Sequence, residues 1–313
     1  MWRLPDEIRA APGALQEQTD RRPWAAIRQT GKGRLDSVTE SEFRVKFWGV
    51  RGSLPVSGAD FVEFGGNTIS VEISCGGESL LFDAGSGLPL AGRKLSGHTE
   101  KPVNLFMSHF HYDHIIGLPF FCPLYMSSAS VTLWSGNLAG QQTTRDMLRY
   151  IMKPPFFPVS PDMCAARVGC NDFAPGDVIE PIPGAFLRTG MLNHPGGSIG
   201  YRVEWMGRTV AIITDTEHLT GELDRTVLSL IENADLFIYD GAFEDQEMEK
   251  FQGYGHSTWQ QAIRLAKAVN VKRTAIIHHM PTRTDAMLRD MQARAQAELP
   301  SLFFARDLDD LSL

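Results

Sequence analysis

The chain has 313 residues, 43% of them hydrophobic, with 30 Lys and Arg against 37 Asp and Glu and a formal net charge of −7. That length allows one large α/β domain or two smaller ones, with ample apolar material for a buried core. The acidic balance counts against a large nucleic-acid partner, which calls for a basic excess or stripe, yet it is compatible with a small anionic substrate, because bound cations bring their own charge.

Residues 1 to 42 are polar and broken by Pro5, Pro12, Pro23 and Gly31-Lys32-Gly33, which predicts a terminal extension, helical around Ala14 to Ile27. Charges scattered through Met1 to Gln18 make a poor secretory signal, and no run of about 18 apolar residues offers a membrane span. A cytoplasmic location is therefore expected. From Phe43 the pattern turns to β, with alternation over Phe43 to Val50 and Thr68 to Ser74 and an apolar run at Leu80 to Phe82; Gly76-Gly77-Glu78 supplies a hairpin turn. Gly92 to Lys101 reads as a loop, and Val103 to Met107 as a buried strand. Pro119 to Pro161, with a helical piece at Thr143 to Met152, reads as a flap over a site or as a capping surface insertion. Strands follow at Gly200 to Glu204, Thr209 to Ile213, Leu236 to Tyr239 and Val271 to Ile277. Helices are expected at Glu222 to Ile231, at Thr258 to Ala268 behind a capping box from Ser257 to Gln260, and at Asp285 to Leu299. Cys75, Cys122, Cys164 and Cys170 lack CxxC spacing and read as free thiols.

The most informative stretch is Ser108-His109-Phe110-His111-Tyr112-Asp113-His114. His109 and His111 are two apart and share a side on extended backbone, and a turn then brings Asp113 and His114 round to the same spot. Imidazole and carboxylate are the ligands that zinc and similar divalent ions take, so the cluster points to a metal site.

This run is the HxHxDH signature, and the chain resembles the metallo-β-lactamase superfamily, closest to its phosphodiesterase, RNase Z-like branch. The further marks are Gly52-Ser53-Leu54-Pro55, Gly66-Asn67-Thr68, Phe82-Asp83-Ala84-Gly85, Asn193-His194-Pro195, Thr214-Asp215-Thr216, Gly255-His256-Ser257-Thr258 and Ile277-His278-His279. The resemblance implies an α/β fold of the α+β type, a four-layered αβ/βα sandwich over residues 43–313. It implies two divalent ions, zinc first, with manganese or iron as alternatives. His109, His111 and His194 would hold the first and Asp113, His114 and His278 the second, with Asp215 bridging. Of the adjacent pair, His278 is favoured because it comes first after the strand, which leaves His279 behind the ligands. Asp83 is either a carboxylate that orients ligands or a plain turn residue. Ser53 and Asn67 border a substrate phosphate or serve as turn residues. His98 and His218 match nothing catalytic.

The resemblance also assigns catalytic roles. A water between the ions, its pKa lowered to near neutrality, would be the nucleophile at a centre that includes Asp113. His256 would protonate the leaving oxygen and Asp240 would hold its ring, although His256 also reads as a residue bordering a helix start. An alkoxide leaving group needs that proton and a thiolate does not, so the preferred function is hydrolysis of a small phosphodiester such as a cyclic nucleotide. The alternatives are a tRNA 3′-processing endonuclease, for which no basic arm is evident between Thr189 and Asp240, a thioester or lactone hydrolase, and an iron-dependent oxygen or persulfide enzyme. Monomer and homodimer stay open.

Overall fold

The structure is a computed structural model that describes residues 42–98 and 100–313. The helical piece expected at Ala14 to Ile27 lies outside the described residues. In chain order the described elements are β1 (Phe43–Gly49), β2 (Ser70–Cys75), β3 (Glu78–Phe82), α1 (Leu88–Leu95), β4 (Val103–Phe106), α2 (Tyr112–Ile115), β5 (Ser130–Ser135), α3 (Thr144–Ile151), β6 (Arg167–Asp172), β7 (Val178–Ile182) and β8 (Ala185–Leu192). They continue with β9 (Ser198–Trp205), β10 (Arg208–Ile213), α4 (Arg225–Ile231), β11 (Leu236–Asp240), α5 (Met248–Phe251), α6 (Trp259–Ala268), β12 (Arg273–Ile277), α7 (Asp285–Glu298), β13 (Leu302–Phe304) and β14 (Asp310–Ser312).

Among the described residues the strands form two seven-stranded mixed sheets, ordered β14-β1-β2-β3-β4-β5-β6 and β13-β12-β11-β10-β9-β8-β7. Side-chain alternation along each strand sets the layers. Leu80, Phe82 and Phe106 of the first sheet meet Val210, Ile212, Leu236, Ile238, Ala275 and Ile277 of the second in the core between the sheets. The intervening residues face outward. Leu81 and Leu105 pack under α1 and α3, while Ala211, Ile213, Phe237, Tyr239 and Ile276 pack under α4, α6 and α7. Helix, sheet, sheet and helix make the four-layered sandwich. Burying one large aliphatic or aromatic side chain is worth about 1.5–3 kcal/mol, against about 0–1 kcal/mol for an exposed ion pair, so these three apolar contacts hold the fold.

Several local expectations are corrected. Leu88–Leu95 is a helix, which shortens the expected loop at Gly92 to Lys101. The Pro119 to Pro161 segment contributes β5 and α3, and its Phe121, Leu124, Leu133 and Leu148 pack on the outer face of the first sheet, so it caps that sheet. Helix α6 is capped by Thr258, whose hydroxyl accepts from the Gln261 N–H, while Ser257 turns to other partners. No helix among the described residues is long and apolar enough to cross a membrane. The four cysteines are free thiols.

Candidate metal centre

The chemistry-bearing residues gather where parallel strands end, the edge at which open α/β sheets bind ligands. Asp83 follows β3, His109 lies past β4, Asp215 past β10, Asp240 ends β11 and His278 follows β12. Asp83, Asp215 and His278 leave their strands at φ of 60°, 44° and 61°. Such left-handed backbone on residues with a Cβ costs about 1–3 kcal/mol each and persists where surrounding structure enforces it. Here it turns each side chain off the sheet edge into one cluster.

Of three donor groups that share Asp215, two match the expected ligands: His109, His111 and His194 with that carboxylate, and Asp113, His114 and His278 with the same carboxylate; the third joins Asp240, His256 and His278 to it. In the second group, His114 Nε2 lies 3.2 Å from Asp113 Oδ2 and 3.2 Å from Asp215 Oδ1, and His278 Nε2 lies 3.3 Å from Asp113 Oδ2 and 3.3 Å from Asp215 Oδ2. Donors about 2.1 Å from a tetrahedral ion stand about 3.4 Å from one another, so this spacing suits one cation at the centre. In the first group His194 Nε2 is 3.0 Å from His111 Nδ1, and Asp215 Oδ2 is 3.7 Å from His109 Nε2 and 3.8 Å from His194 Nε2.

Outer hydrogen bonds decide which nitrogen faces inward. Asp83 accepts from the Ser108 N–H at 2.7 Å, from the Ser108 hydroxyl at 2.7 Å and from His114 Nδ1 at 2.9 Å. With its proton given to Asp83, Ser108 Oγ accepts from His109 Nδ1 at 3.0 Å. The Gly255 carbonyl accepts from His194 Nδ1 at 2.8 Å. Each of these imidazoles therefore turns its Nε2 toward the cluster, the nitrogen a metal ligand would offer. His109 Nε2 is buried without a hydrogen-bond partner, which is costly unless a cation takes its lone pair. The donor set fits a divalent ion.

Burial, with His114 adding to it, drives the His109 pKa well below its ordinary value, and burial lowers those of His111 and His194. For His114 and His278 burial also opposes charge, but the Asp215 carboxylate and its neighbours outweigh it and raise both well above the ordinary imidazole value. Asp215 is buried, which favours the neutral acid, yet His114, His278 and His109 hold it well below the carboxylate range. His111 alone among the histidines of the two groups is exposed, so the cluster opens on its side.

A family model of the beta-lactamase superfamily domain matches residues 78–279, which include all of these donors. The chain belongs to the metallo-β-lactamase superfamily. A Ribonuclease Z of Treponema pallidum subsp. pallidum is 27% identical over 275 residues, 74% of this chain and 87% of that protein. Among solved structures, the metallo-beta-lactamase fold protein YhfI from Bacillus subtilis has a TM-score of 0.65 at 19% identity, over 87% of this chain and 100% of that one. A new diphosphatase from the PhnP family has a TM-score of 0.63 at 18% identity, over 87% and 98%. The protein is thus an enzyme of the metallo-β-lactamase hydrolase family with a divalent-metal site.

Within this metallo-β-lactamase frame the remaining expected residues divide. Asp83 sits behind the ligands, tied to Ser108 and His114 as above. His256 Nδ1 bonds Asp240 Oδ2 at 2.9 Å, and its ring lies 4.4 Å from that of His278 and 5.4 Å from that of His194. His279 turns the other way: its Nε2 donates to the Ala305 carbonyl at 2.9 Å and its ring stacks on Phe304, so it has no place beside substrate. Burial takes its pKa down to about 3.

Ser53 and Asn67 both have partners within the protein. The Ser53 N–H donates to Asp113 Oδ2 at 2.7 Å, and Asn67 spends its side chain on Asp307 and Ser86. Gly52 gives room to His278: a Cβ there would lie 2.1 Å from its ring. His218 bonds Ser257 and His98 is exposed near Glu100, neither at the cluster. Ser108 and the Gly255 carbonyl went unread as site groups; the first opens the histidine run, and the second is main chain within Gly255-His256-Ser257-Thr258, a motif read for its histidine.

Proposed function

We propose that this chain is a dinuclear phosphodiesterase for a small phosphodiester of the cyclic-nucleotide kind, with zinc as the resident metal. His109, His111 and His194 are assigned to the first ion and Asp113, His114 and His278 to the second, with Asp215 shared. Bound there, divalent ions supply Lewis acidity at a phosphoryl oxygen and a water activated near neutral pH.

The observation that carries the reading is the His256–Asp240 pair at 2.9 Å. Asp240 accepts through Oδ2 and also through Oδ1 from the Ala242 N–H at 3.1 Å, so its position is fixed from two sides. With Nδ1 held by the carboxylate, His256 Nε2 is the nitrogen left to deliver a proton, and it makes no hydrogen bond among the described residues. The ring is partly exposed, with 12% of its side-chain surface open, next to both donor groups. A proton donor standing beside the ligands is what an alkoxide leaving group requires, and a thioester does not use it.

RNA is a second reading, favoured by the relative named Ribonuclease Z, and it removes the earlier ground for excluding a large nucleic acid. Against it, the second sheet is joined compactly where a gripping arm would emerge: residues 193–197 link β8 to β9 and residues 206–207 link β9 to β10. The deciding experiment is a panel assayed with zinc-, manganese- and iron-loaded protein: bis(p-nitrophenyl) phosphate, cyclic nucleotides, a tRNA precursor and a thioester. Cleavage of the small diesters above the other two is expected. Preferential cleavage of the tRNA precursor would replace the reading by the RNA one, and preferential thioester hydrolysis would overturn both.

A further inference from the structure

We propose that Glu217 is a positioning residue that sets the metal ligand His194 and the proton donor His256 in one frame. Its carboxylate fills a pocket of main-chain N–H groups. Glu217 Oε1 and Oε2 accept from the Gly253 N–H at 2.9 and 2.8 Å, and Oε2 accepts from the Gly255 N–H at 2.8 Å. Gly253 and Gly255 both have positive φ, 85° and 84°, so the loop presents its N–H groups inward as an anion nest. Here the anion belongs to the chain itself, and bonds to a charged acceptor are roughly twice as strong as neutral ones.

The contacts close a ring. The Glu217 N–H donates to the Asn193 carbonyl at 2.7 Å, and the Glu217 carbonyl accepts from Asn193 Nδ2 at 2.8 Å. Asn193 is bonded to His194, whose Nδ1 donates to the Gly255 carbonyl at 2.8 Å. Gly255 returns to Glu217. A Cβ on Gly255 would lie 2.3 Å from His194 Nδ1, so loop and ligand ring are in direct contact and cannot move independently. The residue after Gly255 is His256. Glu217 touches neither donor group, and it acts through this loop on both.

The experiment uses the full chain with zinc and reads two quantities: metal affinity by chelator competition, and the ratio of rates on an alkyl and a p-nitrophenyl phosphodiester. In Glu217→Ala, one of two binding steps should weaken by about 10–100-fold while the other holds, the range for losing a partner that orients a ligand. The rate on the alkyl diester should fall further than that on the p-nitrophenyl diester. Glu217→Gln keeps the length and one acceptor oxygen and should fall between, and it carries both readouts if the alanine variant does not fold. Wild-type metal affinity and an unchanged ratio in either variant, with only the melting temperature lowered, would overturn the proposal and make Glu217 a surface clasp.

The ratio rests on the acid role proposed for His256, so His256→Ala is measured alongside. If His256→Ala changes the ratio and Glu217→Ala does not, the coupling fails and the acid role stands. If His256→Ala leaves the ratio unchanged, the acid role fails, and metal affinity alone decides whether Glu217 positions His194.

Discussion

Among single residues, the two donor groups differ in how tightly they hold protons. Desolvation pushes the pKa values of His109, His111 and His194 down, whereas the carboxylates beside His114 and His278 push theirs up, so the second group is the one that holds protons more tightly. A cation entering the second group must displace those protons, because a metal ligand needs its lone pair. The sign follows: lower pH strengthens the proton as a competitor there and has less to act on in the first group. Protein stripped with a chelator should therefore release more protons on filling the second group, and that step should weaken more steeply as pH falls from about 8 to about 6. Calorimetric titration in buffers of different ionisation enthalpy measures this, with His278→Ala isolating the first group. Equal proton release at both steps would contradict it.

At the scale of elements, the left-handed turn that ends β12 separates adjacent histidines. His278 and His279 follow β12, and the ring of one meets Asp113 and Asp215 while that of the other packs between Phe64 and Phe304. His278→Ala should lose one metal and nearly all activity with little change in fold. His279→Ala should keep both metals and lose about 1–3 kcal/mol of stability, the cost of a buried ring and its hydrogen bond. Metal analysis and denaturant melts on both variants decide it; metal loss from His279→Ala alone would reverse the assignment. The same physics explains what could be read in advance. Strands β1 to β4 and β9 to β12 were legible because they bury alternating or continuous apolar residues. The outer strands β6 and β7 were not, since they lie toward sheet edges with much of their length exposed and so show little patterning. Helix α1 carries Gly92 in its interior, which argues against a helix until the Phe121 ring packed against that position is seen. The histidines and carboxylates of the cluster were legible because their motif is dense, whereas Ser53 and Gly255 contribute through main-chain groups, which any residue type carries, and the Glu217 carboxylate is aimed at main-chain N–H groups.

Over the whole molecule, the site belongs to neither half. The HxHxDH turn comes from the edge of the first sheet, and His194, Asp215, Asp240, His256 and His278 come from the second, so the core between the sheets brings the two sets of side chains together. With a net charge of −7 on the chain, cations held at this edge would supply the attraction for the anionic substrate proposed above. The central claim is that this shared edge protonates a leaving oxygen as well as holding metal, and His256→Ala tests it most directly. With both metals retained, the variant should lose about 10²–10⁴-fold on an alkyl or ribose phosphodiester, in the range of general acid catalysis, and far less on a p-nitrophenyl diester, whose phenolate leaves unaided. Equal losses on the two substrates, or loss of metal from the variant, would contradict the account.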